Sequence, residues 1–140
     1  MIALMLQMFL FLAAQGSPSK PANDTRSVWD GVYSEPQSIR GETAYREECA
    51  RCHSESLGGA EGAPALVGDD FLARWQGASL NELFERIRTT MPADSPGRLG
   101  RQQCADILAY ILSVNKFPAG KNDLERDSAA LERIRIANKP

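Results

Sequence analysis

The sequence Cys49-Ala50-Arg51-Cys52-His53 places the strongest constraint on this chain of 140 residues. Two thiols separated by two residues on a helical turn are spaced to add to the two vinyl groups of one haem. The imidazole that follows then lies beneath the iron. A bare pair of cysteines at this spacing is also typical of zinc sites and thioredoxin-like dithiols. Because a histidine directly follows the second cysteine, we predict that Cys49, Cys52 and His53 bind one covalent haem c.

The second axial ligand of such an iron is limited by what the sequence contains. His53 is the only histidine, so ligation by two imidazoles of the same chain is excluded. Three of the four methionines lie within the first eight residues, which leaves Met91, followed by Pro92 in a polar stretch. A thioether is an established axial ligand of haem iron. We therefore predict that His53 and Met91 are the two metal ligands; the alternative is that Met91 only fills space in the core.

Residues 1–15 are predicted to be a signal peptide. The apolar run is about 14 residues long, shorter than the roughly 20 needed to span a bilayer, and small residues follow it. No Lys or Arg precedes the run, as an n-region normally requires, so an N-terminal helix is the alternative. Export would make the protein periplasmic, with no membrane span in the mature chain.

The rest of the chain divides into three predicted parts. Residues 16–33 form a linker and N-terminal arm, in which Trp29 and Tyr33 pack on the following domain. Residues 34–115 form the haem domain. Residues 116–140 form a C-terminal tail that either straps across the domain or is disordered.

The first main helix is predicted to start at Ser34 and to run through to Cys49. Ser34 caps it, and Gln37 at the third position completes a capping box. Gly41, Tyr45 and Cys49 share one face, and the glycine permits the close approach of another helix. The second main helix starts at a similar box, Ser79 with Glu82, and stops before Met91-Pro92.

The third main helix is predicted over residues 101–114. Its apolar stripe places Cys104 in the core, although an odd cysteine in an exported chain is alternatively an intermolecular disulfide or a reactive site. Tyr110 is placed to meet the face of the first helix that carries Gly41 and Tyr45.

The segment between the first two main helices is predicted to support the haem. Residues 54–70 contain four glycines and a proline, and we interpret them as a loop. A carbonyl near Pro64 is expected to accept a hydrogen bond from the second ring nitrogen of His53, with Leu66 as apolar wall. In the short helix that follows, Arg74 or Trp75 donates to a haem propionate, or they are surface and core respectively.

Charge favours no nucleic-acid partner, because the formal net charge is −2. Four arginines nevertheless bracket the Met91 loop in sequence. They either form a positive rim that steers an acidic partner or holds propionates, or are ordinary surface charge. These residues are Arg86, Arg88, Arg98 and Arg101.

One haem-attachment motif at the end of a first helix, and a Met-Pro loop before the last, make the chain resemble the class I, single-haem bacterial c-type cytochromes. The resemblance covers about residues 34–115 and depends on Cys49, Cys52, His53 and Met91. It implies an all-α cytochrome c fold, with three main helices and short helical turns around one haem. It further implies an electron carrier and not an enzyme. Donor and acceptor redox proteins would dock at the exposed haem edge.

Other functions stay open from the sequence. The chain could be the haem-bearing subunit of a larger dehydrogenase or oxidoreductase complex, or a sensor in which exchange of Met91 signals. A haem peroxidase needs a distal acid or base, and no second histidine exists to serve. A dithiol or zinc protein that uses Cys49, Cys52 and Cys104 lacks a fourth well-spaced ligand.

Overall fold

The computed structural model describes residues 25–140, which form an all-α fold as predicted. The predicted signal peptide and residues 16–24 of the predicted linker and arm lie outside these residues. Within them, no helix is long and apolar enough to cross a bilayer. After a 3-10 turn at Val28–Asp30, the helices are α1 (Glu35–Glu48), α2 (Ala50–His53), α3 (Gly68–Trp75), α4 (Leu80–Thr90), α5 (Arg101–Val114) and α6 (Ser128–Glu132). Two short strands, β1 (Arg26–Ser27) and β2 (Ile134–Arg135), pair in parallel.

The contact between α1 and α5 organises the fold, and it forms where the sequence predicted it. Gly41 is buried against α5, and a methyl group in its place would lie 1.8 Å from the backbone oxygen of Asp106. Beside it the rings of Tyr45 and Tyr110 lie 5.4 Å apart between centroids. The missing side chain at Gly41 therefore lets the two backbones approach, and the two tyrosines close the space next to them.

Both predicted N-caps form, but the predicted hydrogen bond from the Gln37 side chain back to Ser34 does not. The Ser34 hydroxyl oxygen accepts a hydrogen bond from the backbone N–H of Gln37 at 3.2 Å, and Ser79 accepts one from Glu82 at 3.2 Å. The Gln37 side chain does not return to the cap. It donates to the backbone oxygen of Leu124 at 3.2 Å and accepts from the Leu124 N–H at 2.5 Å. A buried amide needs partners for both its donor and its acceptor, and the extended tail supplies both.

The C-terminal tail straps across the domain, which decides between the two alternatives left open by the sequence. β2 pairs with β1, and Leu131, Ile134 and Ile136 are fully buried. Asp127 caps α6 by accepting a hydrogen bond from the Ala130 N–H at 3.0 Å. The tail thus adds apolar side chains to the same core as the main helices.

The aromatic residues of the N-terminal arm pack as predicted. The Trp29 ring packs edge-on to Phe117 with 4.9 Å between centroids, and its indole N–H donates to the backbone oxygen of Ala137 at 2.9 Å. The Tyr33 hydroxyl donates to the backbone oxygen of Phe117 at 2.6 Å. Arm and tail therefore hold each other against the domain.

The predicted loop over residues 54–70 is too long at its C-terminal end, because α3 already begins at Gly68. Asp69 and Asp70 occupy the first turn of α3, where carboxylates are favoured by the partial positive charge of a helix N-terminus. The side-chain oxygen of Asn115 also accepts a hydrogen bond from the Gly68 N–H at 3.0 Å.

We expect Gly41→Ala to destabilise the protein by about 1–3 kcal/mol, because the added methyl group overlaps the α5 backbone and forces the helices apart. Thr43→Ala, on the exposed side of α1, is the matched control and should change stability by less than about 0.5 kcal/mol. Urea unfolding of the haem-loaded protein measures both. Equal unfolding free energies for the two variants would contradict the predicted helix contact.

Candidate functional site

The attachment motif is built on the end of α1. The Cys49 N–H donates to the backbone oxygen of Tyr45 at 2.8 Å, so the chain continues almost directly into the single turn of α2. Along this turn Cys52 is exposed, Cys49 is partly buried and His53 is buried. The two thiols and the imidazole are thus presented from one rigid corner of the fold.

The His53 ring is oriented by the carbonyl that the sequence predicted. Its Nδ1 lies 2.8 Å from the backbone oxygen of Pro64. Because a carbonyl oxygen only accepts, Nδ1 carries the proton and Nε2 keeps the lone pair that binds a metal. The backbone oxygen of His53 also accepts a hydrogen bond from the Gly59 N–H at 3.0 Å. The prediction of an acceptor near Pro64 is confirmed.

Tyr45 supports the same corner from beneath. Its hydroxyl donates to the backbone oxygen of Ser54 at 2.8 Å, directly after His53. Burial raises the pKa of the Tyr45 phenol, so the hydroxyl keeps the proton that it donates. The side chain that fills the gap beside Gly41 therefore also fixes the backbone next to the metal-binding imidazole.

A cavity of about 1010 Å³ lies in front of this corner, and all four predicted site residues line it. Cys49, Cys52 and His53 line one side, and Met91 enters from the end of α4. Ligand pockets in proteins usually measure about 300–1,000 Å³, so this cavity is large for a domain of this size. The sequence thus brings both thiols, the sole imidazole and a single thioether to one space.

Helices α4 and α5 contribute apolar side chains to the walls of the cavity. On α4, Leu83 and Ile87 lie on the lining face, and Met91 continues the same spacing of four residues. From α5, Ile107 and Ile111 contribute. The sequence pattern places these residues on apolar helix faces, which does not by itself show that they line a site. The regular spacing that leads into Met91 was the available signal.

The loop beyond His53 completes the walls. Leu66 lines the cavity as expected, and so do Arg74 and Trp75 at the end of α3. The Arg74 side chain is exposed, and the Trp75 side chain is half-buried. Donation from either to a propionate stays a prediction.

Three of the four arginines around the Met91 loop are engaged by carboxylates. Arg88 binds Glu85 at 2.7 Å and lowers the pKa of that carboxyl, and Arg101 reaches the same carboxylate at 3.4 Å. Arg98 pairs with Glu48. Because two carboxylates, Glu85 and Glu48, engage these three arginines, the structure favours a local role for them over a positive rim.

The surroundings of the cysteines oppose the dithiol and zinc interpretations. Burial raises the pKa of the Cys49 thiol to about 11, whereas reactive dithiols depend on a lowered thiol pKa. Cys104 is fully buried in the core, as predicted, which argues against an intermolecular disulfide. Within residues 25–140, no three His, Cys, Asp or Glu side chains are grouped to hold a metal ion. The donors present fit a thioether-tethered haem instead.

Comparison with known proteins agrees with this assignment. Residues 37–111 match the family described as cytochrome c oxidase, cbb3-type, subunit III. The chain belongs to this family. As a member it is a class I-like c-type cytochrome domain, which binds haem c and transfers electrons without being catalytic itself.

Two known proteins are similar to parts of this chain. The cbb3-type cytochrome c oxidase subunit CcoP of Azospirillum brasilense is 30% identical over 92 residues, which are 54% of this chain and 30% of that protein. The chain therefore spans about a third of the length of this relative. A chain of the sulfane dehydrogenase SoxCD from Paracoccus pantotrophus superposes with a TM-score of 0.49 at 16% identity, covering 89% of this chain and 68% of that one.

We expect a double Cys49→Ser, Cys52→Ser variant to be colourless and largely unfolded, because the apolar walls of the cavity would then face water. Far-ultraviolet circular dichroism measures the loss of helical structure, and a pyridine haemochrome assay measures the loss of covalent haem. Cys104→Ala is the matched control: it removes the third thiol from the core and should leave the haem attached. A colourless double variant that still unfolds cooperatively would contradict the prediction.

Proposed function

We propose that this protein is an exported, periplasmic electron carrier with one haem c, tethered by Cys49 and Cys52 and ligated by His53 and Met91. The observation that carries the proposal is the convergence of the sole histidine and of Met91 on the cavity that both cysteines line. The apolar run over residues 1–15 supports export. A single attachment motif in the sequence supports one haem per chain.

The residues around the cavity suit rapid electron transfer. Haem c supplies one-electron redox chemistry when it is bound. His53 is held by Pro64 and Met91 by the end of α4, so neither ligand has to move when the charge changes. A thioether ligand and apolar walls both favour the less charged, reduced form and so raise the reduction potential. Cys52 is exposed, so partners would approach at the edge that it marks.

The runner-up function is a haem-bearing subunit of a larger oxidoreductase. It is favoured by the family description, which names an oxidase subunit, and by the CcoP relative, itself a subunit. Purification of the native protein from its cells separates the two. A soluble monomer in the periplasmic fraction supports the carrier, and a stable stoichiometric complex supports the subunit.

We expect Met91→Ala to abolish the weak red absorption band that reports thioether ligation of ferric haem. The vacated position should then let the reduced protein bind carbon monoxide. Visible spectra before and after addition of carbon monoxide measure both effects. Ser95→Ala, an exposed position in the same loop, is the control and should keep the band. A Met91→Ala protein with an unchanged spectrum would show that another group is the ligand.

We expect Met91→His to lower the reduction potential by on the order of 100 mV, a part of the roughly 0.8 V range that axial ligands control, because imidazole favours ferric iron more than a thioether does. Redox titration against mediators measures the shift. Pyridine haemochrome analysis of the same samples should show one haem per chain.

A further inference from the structure

We propose that two ion pairs of opposite polarity hold the Met91 loop (residues 91–100) on the attachment corner and thereby determine how firmly Met91 stays on the iron. The pairs are Glu48 with Arg98 and Arg51 with Asp94, and together we call them the clasp. The inference rests on the proposed ligation by Met91. It assigns four positioning residues that do not themselves touch the iron.

The clasp joins the two sides of the cavity at its rim. Glu48 precedes Cys49 and Arg51 precedes Cys52, so each tethering cysteine has a neighbour that binds the loop. Arg51 donates to the Asp94 carboxylate, and Arg98 donates to that of Glu48. Three of the four residues, Glu48, Arg51 and Asp94, also line the cavity. The loop is thus fastened beside both points of haem attachment.

The middle of the loop has little else to hold it. Residues 93–98 are all exposed, and the first deeply buried side chain after Met91 is Leu99. Within the loop, the Ser95 N–H donates to the backbone oxygen of Pro92 at 2.9 Å, which shapes a turn without attaching it to the domain. Asp94 and Arg98 lie in this exposed stretch. Their ion pairs are therefore the main link between the loop and the attachment corner.

The two pairs differ in strength because they differ in exposure. The Glu48 side chain is only 12% exposed, so its carboxylate loses solvation that Arg98 has to replace. Arg51 and Asp94 are 76% and 57% exposed, and such pairs contribute little individually. The pair formed by Glu48 and Arg98 is therefore expected to dominate, and the second pair to assist it.

The opposite polarity of the pairs fixes the register of the loop. The corner presents a negative and then a positive residue, and the loop presents Asp94 and then Arg98. A loop shifted so that Arg98 approached Arg51 would place like charges together, and so would Asp94 beside Glu48. Repulsion between these like charges would destabilise the shifted loop, so the observed alignment is favoured over it.

The test is the affinity of ferric protein for exogenous imidazole, which must displace Met91 and so reports how often the loop opens. Arg98→Glu is expected to raise this affinity about tenfold, and Arg98→Gln by a smaller factor, because the half-open loop becomes more populated. The swapped double variant, Glu48→Arg with Arg98→Glu, should return to within about threefold of the original affinity. Asp94→Asn should change it by at most about twofold.

Arg46→Glu is the matched control, because it breaks an exposed ion pair with Glu42 on α1 and changes the charge by the same amount away from the loop. It should leave imidazole affinity unchanged. If Arg98→Glu fails to mature, Arg98→Gln and the swapped variant carry the comparison. Unchanged affinity in the Arg98 variants, or no rescue by the swap, overturns the clasp while the thioether band of the parent protein still supports the ligation. Absence of that band from the parent protein overturns both.

Discussion

The cavity bordered by α2, α4 and α5 is the constraint on which the site depends, because apolar side chains of the main helices face it. Apolar surface that faces water instead of an apolar neighbour costs about 25 cal/mol per Å², and most of the surface that lines this cavity is apolar. Typical domains are stable by only about 5–15 kcal/mol. The apolar faces of α4 and α5 therefore require a large apolar occupant, and haem c satisfies that requirement while it supplies the redox centre.

The packing of α1 on α5 determines where the His53 imidazole lies relative to the cavity. Gly41 lets α1 approach α5, and Tyr45, one turn later, packs on Tyr110 and binds the backbone beside His53. The position of the imidazole is thus set by a helix contact that itself contains no metal ligand. On the other side, the spacing from Leu83 through Ile87 to Met91 sets the position of the thioether. The ends of α1 and α4 thus bring His53 and Met91 to the same cavity.

Local features were predictable from the sequence because they depend on neighbours along the chain. The attachment motif, the caps at Ser34 and Ser79 and the shared helix face of Gly41 and Tyr45 all follow from short spacing rules. Long-range polar partners were not predictable in the same way. Gln37 bonds Leu124, and Arg98 pairs with Glu48; both partners are brought near only by the finished fold. The position of the tail was not predictable for the same reason, because its strand β2 pairs with β1, which is distant in the sequence.

The burial of Cys104 has a consequence for the protein after maturation. If Cys49 and Cys52 form thioethers as proposed, the remaining cysteine sulfur is that of Cys104, which lies in α5 with no exposed area. The matured molecule then offers no sulfhydryl to its surroundings, so oxidants and disulfide-exchange enzymes have nothing to act upon. Burial of the third thiol would then prevent covalent dimers even though the number of cysteines is odd.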